Sequence, residues 1–120
     1  MAPPATNEER KRIARRVPEE VATEGNIDLV DDLYAEDAVE HDPFGDHRGR
    51  EAIRESMELP LSAFPDMTAT VEDIIAEGDT VAMRVTLRGT HEGEFMGRAP
   101  TGREFEIGNQ VFTRIEAGRI

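Results

Sequence analysis

Cysteine is absent from the 120 residues, which excludes disulfides, thiol catalysis and cysteine-ligated metals and fits a reducing or indifferent compartment. Lysine is nearly absent too: Lys11 is the one lysine among 14 basic residues, the other 13 being arginine. No stretch approaches the roughly 18 apolar residues of a membrane-spanning helix. The start, Met1-Ala2-Pro3-Pro4-Ala5-Thr6-Asn7-Glu8, lacks the apolar segment of a signal peptide. A soluble, cytoplasmic protein with no membrane partner is expected. The chain is also too short for two independent cores, so one domain and one site are expected.

Negative charge is what the chain has in excess. Its 26 acidic residues against 14 basic ones leave a formal charge of -12. A carboxylate-rich, lysine-poor surface suits concentrated salt, where the screening length falls to about 3 Å at 1 M and self-repulsion is damped; a halophilic source is expected. The same balance argues against a nucleic-acid partner, whose phosphates need a basic footprint. Arg10, Lys11, Arg12, Arg15 and Arg16 form the one basic cluster, beside Glu8 and Glu9, and read as the solvated face of a helix.

Residues 1–7 read as a disordered lead and residues 8–120 as the domain. Ile13, Val17 and Val21 fall four apart and predict a helix from Glu8 to about Glu24. Pro18 either bends that helix or starts a new one at its first turn, and Gly25 closes it. Asn26 is placed to cap a second helix over Ile27 to Tyr34. A short strand follows at Ala38 to His41, then a turn-rich stretch from Asp42 to Gly49. Ile53, Met57, Leu61 and Phe64 give a third helical stripe, interrupted near Pro60 and ended by Pro65-Asp66. The period then changes. Met67 to Ala76 and Thr80 to Arg88 predict a hairpin turning at Glu77-Gly78-Asp79, with Val81, Met83, Val85 and Leu87 on one face and Arg84, Thr86 and Arg88 on the other. A last strand runs from Glu104 to Ile115, with Phe105, Ile107, Asn109 and Val111 in phase. Glu116-Ala117-Gly118 is a further hairpin turn, which predicts a final strand truncated from this sequence. Helices first and antiparallel strands after is the order of an α+β domain: helices cover the concave face of a strongly curved antiparallel sheet, making a cone with an internal cavity.

The connector from Gly89 to Arg103 exceeds the length of ordinary loops. It carries His91, Phe95, Met96, Arg98 and Arg103 between glycines, too apolar and specific for a tether, and reads as part of a pocket. Phe44, Phe64, Met83, His91, Phe95, Met96 and Phe105 are its expected ligand-binding residues, soft and apolar enough for a flat small molecule. His41 ends the first strand where a cone would open, and imidazole titrates in the useful range; it is the expected acid or base. His47, between Asp46 and Arg48, reads as exposed. His41 and His47 lack helical ligand spacing, so no metal is expected.

Four segments together resemble a known family: Glu24-Gly25-Asn26-Ile27-Asp28-Leu29-Val30-Asp31-Asp32-Leu33-Tyr34-Ala35, Glu40-His41-Asp42-Pro43, Phe64-Pro65-Asp66-Met67, and the connector with its Gly89-Thr90-His91 and Pro100-Thr101-Gly102-Arg103. They are similar to the SnoaL-like polyketide cyclase or ester cyclase group of the nuclear-transport-factor-2-like superfamily. The resemblance implies the bent-sheet cone, a homodimer or higher homo-oligomer, and a cofactor-independent proton transfer next to a carbonyl in an apolar pocket, as in cyclases and isomerases. It also implies an inward aspartate on the segment Ile107 to Arg114. That segment holds no carboxylate; Asn109 and Gln110 stand there instead, amides that can orient a substrate oxygen or steady an enolate but cannot titrate near neutrality. His41, Asn109 and Gln110 are therefore the expected catalytic set, acting on a small apolar carbonyl-containing ligand. The alternative is a non-catalytic module of the same fold that binds a small ligand or a partner chain.

Overall fold

Thr6 sets where the first helix begins. In the computed structural model, which describes residues 5–120, its hydroxyl accepts from the Glu9 amide at 3.1 Å, and the Glu9 carboxylate accepts from the Thr6 amide at 3.2 Å. This reciprocal capping box opens α1, Asn7–Arg16. Of the lead expected over residues 1–7, residues 1–4 lie outside the described residues, while Thr6 and Asn7 belong to the helix start. Pro18 has no amide hydrogen with which to continue the α pattern. The chain passes there into a π-helical segment, Val17–Ala22, with Pro18 in its first turn, and Thr23 donates its amide back to the Pro18 carbonyl at 3.1 Å. The second of the two readings of Pro18 holds.

The second helix is shorter than its sequence pattern: α2 is Leu29–Leu33. Asn26 serves it through the backbone, its carbonyl accepting from the Leu29 amide at 3.3 Å in the turn that leads in. Val30 and Leu33 are buried with Tyr34, Val21 and Ile53 in one core cluster.

Two strands follow where one was expected. β1, Val39–Asp42, pairs antiparallel with β2, Gly45–Arg48, so that Glu40 faces His47 and His41 faces Asp46. The Asp42 carboxylate accepts from the Phe44 amide at 2.8 Å, and Gly45 reverses the chain at φ 134°. That local turn folds Gly45–Arg48 onto β1 although none of its residues favours a strand.

The third helix, α3, Gly49–Ala63, runs through Pro60 rather than breaking near it. The lost hydrogen bond is outweighed by packing at both ends, where Ile53 and Ala63 are fully buried, and the Phe64 amide closes the last turn onto the Pro60 carbonyl at 2.8 Å.

β3, Thr68–Glu77, β4, Thr80–Thr90, and β5, Glu104–Arg114, form an antiparallel sheet in that order. The expected face holds: Val81, Met83 and Val85 are buried with Ala14 of α1 over them and Ala22 of the π segment beside them. On the outer face Arg84 pairs with Asp73 at 2.7 Å and Arg88 with Glu106 at 2.9 Å. A bulge between Val71 and Asp73 turns Asp73 outward to that partner. The turn at Glu116–Arg119 forms through Ala117 and Gly118, both at positive φ, and Ile120 then bonds Leu33 and Ala35 through its backbone at 2.8 Å. The architecture is α+β, helices lying against one face of an antiparallel sheet.

Candidate functional site

Strand alternation decides which side chains of the β1–β2 hairpin face inward. Glu40 and Asp42 lie on one face of β1, and the register brings His47 of β2 onto the same face. His47 Nε2 lies 2.9 Å from Asp42 Oδ2, their side chains 23 % and 28 % exposed. Glu40 Oε2 lies 2.9 Å from the Ser56 hydroxyl of α3. Burial pushes the Glu40 carboxyl above the usual carboxylate range; the Ser56 contact acts against this, the negative charge of Asp42 adds to it, and His47 opposes it. The neighbouring Tyr34 phenol is raised as well, chiefly by burial and then by the charge of Glu40.

His41 falls on the opposite face. Its side chain is 71 % exposed, with Nδ1 2.6 Å from Asp46 Oδ1, and that hydrogen bond is the largest cause of the lowered Asp46 carboxyl. The expected placements of His41 and His47 are thus exchanged, because the alternation that turns Glu40 and Asp42 in must turn His41 out. His47 could have been found from sequence by reading Asp42-Pro43-Phe44-Gly45 as a hairpin turn; the pairing of Glu40 with His47 then follows by counting.

The connector supplies a second, aromatic part. The Glu92 and Gly93 amides both donate to the Ala63 carbonyl at 3.0 Å, docking it on the end of α3. Phe64 lies at the centre, with ring centroids 4.8 Å from Phe105, 5.2 Å from Phe95 and 5.7 Å from His91. Phe44, from the hairpin tip, stands edge-on to Phe95 at 6.5 Å. A Cβ on Gly89 would come 2.9 Å from the Phe105 ring, so glycine there lets the ring lie over β4. His91 Nδ1 is 3.1 Å from the Thr101 hydroxyl. Of the expected ligand-binding residues the structure therefore gathers Phe44, Phe64, His91, Phe95 and Phe105. Met83 is core, 4 % exposed beneath α1. Met96 points to solvent, 61 % exposed at the tip of the Phe95–Arg98 turn, where its own φ is 52°.

The two amides of β5 separate. Asn109 pairs with Val85 on the inner face and Gln110 with Arg84 on the outer one, because adjacent residues of a strand face opposite ways. Ile107, next to Asn109 on the inner face, is 52 % exposed, so the concave side is open to solvent along β5. A cleft of about 390 Å³ adjoins the aromatic group: Gly89 and Phe105 line it together with Asp66, Arg88, Glu104 and Glu106, so one apolar ring meets a mostly charged lining.

Glu40, Asp42 and His47 bring two carboxylate oxygens and a ring nitrogen within 4.8 Å of one another. Asp42 already holds His47, and Glu40 already meets Ser56. The set is a hydrogen-bonded acid–base group, able to take a proton at one atom and give one at another.

A family model of SnoaL-like polyketide cyclases matches residues 12–120. The candidate polyketide cyclase IdmH from Streptomyces antibioticus is 37% identical over 92% of this chain and 85% of its own, with a TM-score of 0.77. AclR from Streptomyces galilaeus, a candidate hydroxylase, is 29% identical over 95% of this chain and 71% of its own, TM-score 0.83. A candidate SnoaL-like polyketide cyclase from Jannaschia sp. CCS1 shares the fold at TM-score 0.88 and 19% identity, covering 99% of this chain and 85% of its own. No functionally curated sequence matches the chain.

Proposed function

The chain belongs to the SnoaL-like polyketide cyclase family, and from that premise we propose that it moves a proton next to a carbonyl in a small apolar molecule, without a cofactor. Membership alone does not fix chemistry. The observation that carries the reading is the inward Asp42–His47 pair at 2.9 Å. With Asp42 accepting from Nε2–H, the ring keeps its lone pair on Nδ1 and is oriented as a base. Phe44, Phe64, Phe95 and Phe105 hold the apolar body of the ligand, and Asn109, on the inner face of β5, orients its oxygen. His41 and Gln110 have no part in the reaction, since both face away.

Deuterium wash-in tests this. A 1,3-diketone probe in deuterated buffer exchanges the hydrogens between its carbonyls, followed by NMR. The wild type accelerates exchange; His47→Ala lowers the protein-dependent rate by roughly 10²-fold or more, the scale of general acid–base catalysis, and His41→Ala leaves it unchanged. Equal rates in wild type and His47→Ala sink the reading.

A binding module of the same fold is the second reading, favoured by one observation: the segment Ile107–Arg114 carries no carboxylate on its inner face. Saturable binding of the probe with no exchange would support it. A homodimer through the outer sheet face belongs to either reading; Ile75 and Phe112, 68 % and 74 % exposed, flank Ala82 there as an uncovered apolar row. A cytoplasmic location is proposed with either reading, supported by the absence of cysteine.

A further inference from the structure

We propose that Glu40 stands in the resting protein as a neutral carboxylic acid donating its proton to Ser56, and that it is the proton donor working opposite His47. The first half rests on counting protons. The Ser56 hydroxyl lies 2.7 Å from the Ile53 carbonyl and 2.9 Å from Glu40 Oε2. It has one hydrogen to give. A backbone carbonyl can only accept, so the shorter contact takes that hydrogen. What then faces Glu40 is a lone pair of the Ser56 oxygen. An ionised Glu40 would set lone pair against lone pair at hydrogen-bond distance; a protonated one makes the contact a bond.

The surroundings point the same way. From β1 the group beside Glu40 is the Asp42 carboxylate; from β2 it is His47, already held by Asp42; from the end of α2 it is the Tyr34 phenol; and from α3 it is Ser56. No arginine or lysine forms an ion pair with Glu40 among the described residues. A half-buried carboxyl with a carboxylate neighbour and no arginine or lysine partner holds its proton more tightly than an exposed one, and burial raises the Glu40 carboxyl even with Ser56 taken as a hydrogen-bond donor to it and with His47 opposing.

The catalytic half rests on the function proposed above. His47 takes the proton from the carbon next to the carbonyl as Glu40 gives its own to the carbonyl oxygen. The product is a neutral enol, with one positive charge on His47 and one negative on Glu40. The enol oxygen returns its proton to Glu40 and His47 returns to the carbon a proton that has exchanged with solvent deuterium, which restores both groups. The terminal torsion of glutamate is soft, so the proton can turn from Ser56 toward a ligand oxygen. Glu40 and His47 bring a carboxylate oxygen and a ring nitrogen within 4.8 Å of each other, so both groups serve one site.

Carbon-13 NMR of the full chain labelled at glutamate Cδ tests the protonation state without any substrate. Loss of one signal in Glu40→Gln assigns Glu40, and that signal should titrate above the other glutamates. Ser56→Ala decides the direction of the hydrogen bond: if Ser56 accepts from Glu40, its removal lowers the Glu40 titration, whereas if Ser56 donates to a carboxylate, its removal raises it. A Glu40 that titrates among the other glutamates, or rises in Ser56→Ala, overturns the protonation assignment. For the donor role, wild-type deuterium exchange should fall on the alkaline side at the NMR midpoint, and Glu40→Gln, which keeps the shape, should slow it roughly 10²-fold. An unchanged rate in Glu40→Gln overturns the donor role, while a wild type without exchange overturns the function and leaves the NMR result standing.

Discussion

Gly93 is where the connector is most tightly bound, and Gly93→Ala should dislodge it. A Cβ at that position would lie 2.5 Å from the Ser62 carbonyl oxygen and 3.1 Å from the Ala63 Cα. Both are backbone atoms of the α3 end, so no side-chain rotation relieves the overlap. Either the helix end or the connector must move by about 1 Å, and overpacking of that kind costs about 1–3 kcal/mol. The move also strains two backbone hydrogen bonds, from Glu92 and Gly93 to Ala63, each 3.0 Å and each worth about 1 kcal/mol net. Together these give a loss of up to about 3–5 kcal/mol if the connector stays docked. Should local opening be easier than that, the connector lifts away and the global loss is smaller. Urea unfolding reads the first outcome, and amide exchange at Glu92, Gly93 and Gly102 reads the second. Gly108→Ala is the control: no atom lies within 4 Å of its Cβ position, and it should be neutral or slightly stabilising. An unfolding midpoint and amide protection both unchanged in Gly93→Ala would refute the docking.

Stability should answer to pH at two carboxyls, in opposite senses. Glu40, raised in the folded state, binds its proton longer when folded than when unfolded, so its contribution declines as pH climbs from the unfolded carboxylate range to the folded value; Glu40→Gln should therefore gain on the wild type in denaturant melts at neutral pH and lose that advantage near pH 4. Asp66 is lowered, first by the Thr90 hydroxyl and then by the Thr90 amide, both at 2.7 Å, so its contribution is present above the unfolded range and fades as pH falls through the folded value. Asp66→Asn should be less stable than wild type at neutral pH, the two melting curves converging in acid. Ile53→Ala, at a fully buried position, should lose about 2–5 kcal/mol in urea unfolding; a loss below 1 would mean that the Ile53 cluster is loosely packed. The formal charge of -12 predicts that the melting temperature rises from dilute buffer to molar KCl, and a flat curve would remove the halophilic reading.

The sheet was legible because its signals are local and redundant. Val81, Met83 and Val85 alternate without interruption, and Gly78, at φ 60°, supplies the turn before them. The same alternation placed Asn109 inward, but it also forbade pairing Asn109 with Gln110 in one site. β2 was illegible, since Gly45-Asp46-His47-Arg48 carries no strand preference and is a strand only because the Asp42 turn lays it against β1. Pro60 is a local breaker whose effect is outweighed by long-range packing, the buried Ile53 and Ala63 holding α3 on either side of it. His41 and His47 could not be told apart by residue type, as both have a neighbouring aspartate; only the hairpin register distinguishes them.

Under the proposed function, that register also bounds the size of the ligand. The acid–base group meets α3 at Ser56, and the aromatic group meets it at Phe64. Eight residues of helix separate the two contacts, about 12 Å along the axis at 1.5 Å per residue. A second route joins the same two groups, for Phe44 follows Asp42 through the hairpin turn and reaches Phe95. A molecule with a single small ring cannot fill both ends of such a span. One with several fused or linked rings can rest on Phe64 and Phe95 while a carbonyl lies between Glu40 and His47. In the proposed reaction, binding energy gathered at the aromatic end would hold the reacting carbon in place, which is the use of remote contacts in catalysis. Probes of increasing length should accordingly gain in kcat as well as in affinity until they reach Phe64, and Phe64→Ala should erase that gain for long probes while leaving the shortest diketone unaffected.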